Sequence, residues 1–70
     1  MISGRQCRAV RAWLGWSQVD LCQKANLYRQ QLIAFEKGGG IDDDSRWRIA
    51  AIFVTEDVKF HKNGSISLEP

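Results

Sequence analysis

Two cysteines, one histidine and a run of three glycines are the residues of this 70-residue chain best suited to covalent, metal or phosphate chemistry. Their spacing allows little of it. Cys7 and Cys22 form no Cys-x-x-Cys pair, and two thiols are too few for a disulfide framework. They read as small buried apolar side chains. His61 has no partner at ligand spacing, so neither a metal nor a cofactor is expected. Gly38-Gly39-Gly40 follows an expected helix rather than a strand, which excludes a dinucleotide fingerprint. With no Ser/His/Asp set either, no catalytic residue is assigned, and the chain is not expected to be an enzyme.

What remains is non-covalent chemistry, and the charge is placed for it. The formal net charge is only +2. Residues 1–40 hold six basic side chains (Arg5, Arg8, Arg11, Lys24, Arg29, Lys37) against Asp20 and Glu36. Residues 41–70 reverse the sign, with four basic and six acidic side chains. The asymmetry points the N-terminal half towards an anionic partner.

The elements that must carry this surface are short. The length corresponds to a single domain, 1–70, whose stability is marginal because so small a fold buries only about 60% of its unfolded surface. No apolar run approaches the roughly 18 residues that span a bilayer, and MISGRQCRAV lacks the apolar centre of a signal peptide. No membrane association is expected, and the expected location is cytoplasmic.

Ser3 reads as the N-cap of a first helix from about Gly4 to Trp13, with Cys7, Val10 and Leu14 on its inner stripe and Gly15 ending it. A second helix starts at Ser17, where Asp20 stands near a capping-box position. Val19, Leu21, Cys22 and Ala25 are its expected buried side, and Asn26 suits the left-handed turn that follows. A third helix runs from Tyr28 or Arg29 to Glu36 or Lys37, with Leu32 and Phe35 inward. Asp42-Asp43-Asp44-Ser45 opens a fourth helix, ending near Val54 or Thr55, with Ile49, Ile52 and Phe53 as its stripe. Trp13, Trp16 and Trp47 are expected in core or half-buried packing, Trp13 with Arg5 and Arg8 towards the outside of the first helix. Val58, Phe60, Ile66 and Leu68 then alternate with polar residues, predicting a β-hairpin over 58–68. A three-residue loop, Lys62-Asn63-Gly64, gives one apolar face by pairing Phe60 with Ile66 and Val58 with Leu68, with Gly64 left-handed in a bulge.

The segment 17–37 is the informative one. Two short helices joined by a tight turn at Asn26-Leu27-Tyr28, with small residues at Cys22 and Ala25 to let them cross closely, satisfy the spacing of a helix-turn-helix. Gln18, Cys22, Asn26, Leu32 and Glu36, preceded by Arg11 and Ala12-Trp13-Leu14-Gly15-Trp16-Ser17, resemble the pattern of the XRE class of Cro-like and repressor-like proteins. The trailing Val58-to-Leu68 segment is similar to the hairpin on some small members. The resemblance implies a mainly α, four-helix Cro/repressor-like domain with a C-terminal β-hairpin.

It also implies a function: a sequence-specific double-stranded DNA-binding regulator, a repressor that reads the major groove with its third helix. Arg29 and Gln30 would reach base edges, Arg on guanine O6 and N7 and Gln on adenine N6 and N7. Ala34 would touch a thymine methyl. Gln18, Tyr28, Gln31 and Lys37 are implied phosphate contacts, and Gln23 is implied at the groove edge. An Arg11–Glu36 ion pair would tie the first helix to the end of the third. The implied partner is a near-palindromic operator bound by a homodimer, with the hairpin as the leading dimer device and the surface around the fourth helix as another.

Three departures favour an alternative: a protein-interaction module or antitoxin of the same fold, with weak or lost DNA binding. Tyr28 replaces the usual Ser or Thr cap. Ile33 is apolar where an exposed or DNA-facing residue is expected. The Asp42–Asp44 trio would repel phosphates unless it points away.

Overall fold

Local capping chemistry sets the element boundaries in the computed structural model, which describes residues 2–63 and 66–68. Helix α1 (Gly4–Leu14) opens on a reciprocal box: Gln6 N donates to Ser3 Oγ at 3.2 Å, and Ser3 N donates to Gln6 Oε1 at 2.9 Å. It closes on Gly15, left-handed at φ 72°, as expected, although its last helical residue is Leu14 rather than Trp13. Helix α2 (Gln18–Ala25) repeats the device, with Asp20 N on Ser17 Oγ at 3.0 Å and Ser17 N on Asp20 Oδ2 at 2.8 Å. Asp20 thus does the work of the usual Glu or Gln. Asn26 takes the left-handed turn at φ 55°.

Helix α3 (Arg29–Glu36) begins at Tyr28, whose side chain makes no cap bond. Half a box survives, because Tyr28 N donates to Gln31 Oε1 at 2.9 Å. Gly38, at φ 101°, turns the chain away, and Gly39 N donates to Ala34 O at 2.8 Å. Helix α4 (Asp43–Thr55) is capped by Asp42, whose Oδ2 accepts from Ser45 N at 3.0 Å. Strands β1 (Val58–Phe60) and β2 (Ile66–Leu68) pair antiparallel with Val58 opposite Leu68 and Phe60 opposite Ile66. This is the register the alternation predicts. The conformation predicted for Gly64 lies outside the described residues.

The four helices close around one core. Cys7 and Val10 come from α1; Leu21, Cys22 and Ala25 from α2; Leu32 and Phe35 from α3; Ile49 and Phe53 from α4. Val58 is buried with them, and Phe60 and Ile66 pack against the same cluster, so the hairpin turns its apolar face onto its own core. Two contacts fix the helix-turn-helix. Gly4 lies so close to the end of α3 that an added Cβ would stand 1.9 Å from Phe35 O. Arg48 of α4 donates to Ala25 O at 2.9 Å and to Asn26 O at 3.4 Å, satisfying carbonyls at the end of α2.

Three expectations need correction. Val19 is 47% exposed rather than buried, because on a helix of about 3.6 residues per turn it lies about 200° from Leu21. Trp47 is 62% exposed, set about 200° from both Ser45 and Ile49 on the solvent side of α4. Trp13 is 51% exposed, about 180° from the buried Gly4. Of the three indoles only Trp16 is half-buried, 6.1 Å from the Phe53 ring and with Lys24 Nζ 5.0 Å from its own centroid.

Candidate nucleic-acid interface

The orientation of α3 is set at its C-terminal end by one carboxylate. Glu36 accepts from Arg11 through two bonds of 2.9 Å, Nε to Oε2 and Nη2 to Oε1. Gln18 Nε2 adds 3.3 Å to Oε1, and Cys7 Sγ adds 3.4 Å to Oε2. Arg11 Nη1 also donates to Trp16 O at 2.9 Å. The Glu36 side chain is only 4% exposed, so the planar guanidinium fork meets its carboxylate out of water. Burial pushes the Glu36 carboxyl up, but the donors from Arg11, Gln18 and Cys7 and the Arg11 charge outweigh it and hold the group below its usual value. Burial, then the Glu36 charge and hydrogen bond, push the Cys7 thiol far up. Cys7 is therefore a protonated donor at neutral pH and not a nucleophile. Helices α1, α2 and α3 all contribute to this cluster.

The opposite side of α3 is bare. Gln30, Ala34 and Lys37 are exposed opposite the core, and Arg29 is exposed on the flank that also carries Glu36, with Ile33 half-buried between Arg29 and Lys37. Tyr28 stands exposed just before it. Arg29 and Lys37 make no ion pair among the described residues. Two residues implied as phosphate contacts are instead engaged inside the fold: Gln18 through its amide nitrogen on Glu36, and Gln31 through its amide oxygen at the start of α3. Gln23 is exposed on α2 but lies apart from the cleft described next.

That cleft, of about 520 Å³, runs along the flank of α3 that carries Arg29, Ile33, Glu36 and Lys37, beside Gln30 and Ala34. Arg8 and Arg11 form its α1 wall, Ser17, Gln18 and Val19 its α2 wall, and the side of α3 from Arg29 to Lys37 the third. Its one lining acid, Glu36, is neutralised by Arg11, which leaves Arg8, Arg29 and Lys37 as unopposed cations. Arg8 and Val19 were not assigned to the interface from the sequence. The available signal for Arg8 was its place one turn before Arg11, on the side of α1 that meets α3.

Two of the three acids, Asp42 and Asp44, are engaged by their own helix. Asp42 caps Ser45, and Asp44 forms an ion pair with Arg48 at i, i+4 spacing. Among the described residues no group of three His, Cys, Asp or Glu could hold a metal, and no helix is long and apolar enough to cross a membrane. No protein-family model matches the chain, and no curated protein matches it.

Proposed function

We propose that this protein is a sequence-specific double-stranded DNA-binding regulator that inserts α3 into the major groove and represses by occupying its site. One observation carries the reading. The inner side of α3 is fixed by Leu32, Phe35 and the four-donor Glu36 carboxylate, while Arg29, Gln30 and Ala34 stand free on the outer side beside a cationic cleft. A rigid helix with unengaged long polar side chains suits base-edge hydrogen bonding, because little further ordering is needed on binding. Arg29 is assigned to guanine, Gln30 to adenine and Ala34 to a thymine methyl. Lys37 and Tyr28 are assigned to the phosphates that flank the groove.

A single module of this kind buries only about 600–1,000 Å² on DNA, too little for tight and selective binding. The working form is therefore a homodimer on a near-palindrome with half-sites about 34 Å apart. It acts in the cytoplasm, on the nucleoid. A second reading, a protein-interaction module or antitoxin, is favoured by Trp47 and Val54, both exposed on α4. Selection from random duplexes followed by binding titrations at fixed salt separates the two. The DNA reading predicts an enriched near-palindrome bound at least about 10³-fold tighter than a scrambled duplex. Equal, salt-sensitive affinity for every duplex would overturn it.

A further inference from the structure

We infer that Arg8 is a DNA phosphate contact, extending the interface from the helix-turn-helix onto α1; the inference rests on the reading of α3 given above. Arg8 is exposed and lines the cleft opposite Arg29 and Lys37. Its neighbour one turn on, Arg11, has its charge paired with Glu36 and each guanidinium nitrogen bonded to Glu36 or Trp16 O. Arg8 is therefore the one α1 cation on this wall free to bind an external anion, and it has no ion-pair partner among the described residues. The cleft lining includes the apolar side chains of Val19 and Ile33. Low-dielectric walls between like charges concentrate positive potential at the mouth. A phosphodiester satisfies that arrangement. When α3 lies in the major groove, a strand bordering the groove passes the cleft mouth, and the guanidinium fork matches two phosphate oxygens.

The test is the salt dependence of binding to the selected duplex and to a scrambled one, for the intact chain and for Arg8→Gln, Arg8→Lys and Lys24→Gln. Lys24 sits over the Trp16 ring outside the cleft and controls for net charge alone. Losing one phosphate contact in each protomer of the dimer reduces the slope of log K against log salt by about 1.8 and weakens both duplexes alike, by roughly ten- to a hundredfold at low salt. Arg8→Gln should show this loss, Arg8→Lys should recover most of the slope, and Lys24→Gln should show neither effect. If Arg8→Gln matches Lys24→Gln in slope and affinity, the assignment fails while the reading of α3 stands. Loss confined to the selected duplex would make Arg8 a base contact and also overturn it. Inorganic phosphate at matched ionic strength distinguishes a duplex backbone from a free anion: displacement of DNA by phosphate would overturn the duplex assignment. If the intact chain binds neither duplex, the reading of α3 itself fails.

Discussion

Glu36 and Lys37 are neighbours at the end of α3, yet they live under opposite rules. Glu36 is buried with four donors on its carboxylate, whereas Lys37 is exposed and has no ion-pair partner among the described residues. The same contrast runs the length of the helix: Leu32 and Phe35 are sealed in the core while Arg29, Gln30 and Ala34 face outward. One face exists to remove freedom from the helix, the other to keep side chains available. A groove-reading helix needs both properties, because misplacing the backbone would misplace each base contact together. Substitutions on the two faces should therefore report on different quantities.

Arg11→Ala should have the largest effect. It leaves the Glu36 carboxylate buried with only Gln18 and Cys7 as donors. Removing one partner of a buried pair costs about 3–5 kcal/mol. A 70-residue domain holds roughly 0.05–0.15 kcal/mol per residue, about 3.5–10.5 kcal/mol in total, so urea titration should find the unfolding midpoint lowered by at least about a quarter. Lys37→Ala, one residue from the same carboxylate, should change stability by no more than about 0.5 kcal/mol. Equal losses in the two variants would break the contrast.

Gly4→Ala probes the fixed face without touching charge. The new methyl would collide with Phe35 O, so α1 must move off α3. Overpacking of this kind costs about 1–3 kcal/mol, read as a lowered thermal midpoint. On the free face, Arg29→Ala should weaken the selected duplex by about 1–3 kcal/mol in a binding titration and leave the melting curve nearly unchanged. A destabilised Arg29→Ala would mean that this residue belongs to the scaffold.

The smallest effect is a pH dependence. Glu36 titrates lower in the folded chain than its ordinary value of 4.5. Its contribution is therefore complete above that value and is lost as pH falls through the lower, folded value. Asp20 and Asp42, held low by bonds from Ser17 and Ser45, act in the same direction. Stability should decline as pH drops below about 4.5, and Glu36→Gln should flatten part of that limb.

Local signals made the scaffold legible. The caps at Ser3, Ser17 and Asp42 and the left-handed turns at Gly15 and Asn26 depend on residues within a few positions, so short-range chemistry reveals them. The hairpin register follows from alternation, since a slip by one residue would put Phe60 and Ile66 on opposite faces. What escaped was angular or distant. Val19 and Trp47 are apolar, but their helical angle, not their type, sets their exposure. Arg48 reaches back to Ala25 and Asn26 across more than twenty residues, a contact no spacing rule foretells. Gln18 carries both possibilities in its sequence position; only the folded chain shows its amide turned onto Glu36.

The central claim is that the outer face of α3 enters the major groove. Dimethyl sulfate footprinting on the selected duplex tests it directly, because guanine N7 lies in the major groove and adenine N3 in the minor groove. A guanine N7 in each half-site should be protected, and Arg29→Ala should abolish that protection in a chain that still melts normally. Protection confined to adenine N3, or an unchanged footprint with Arg29→Ala, would contradict it.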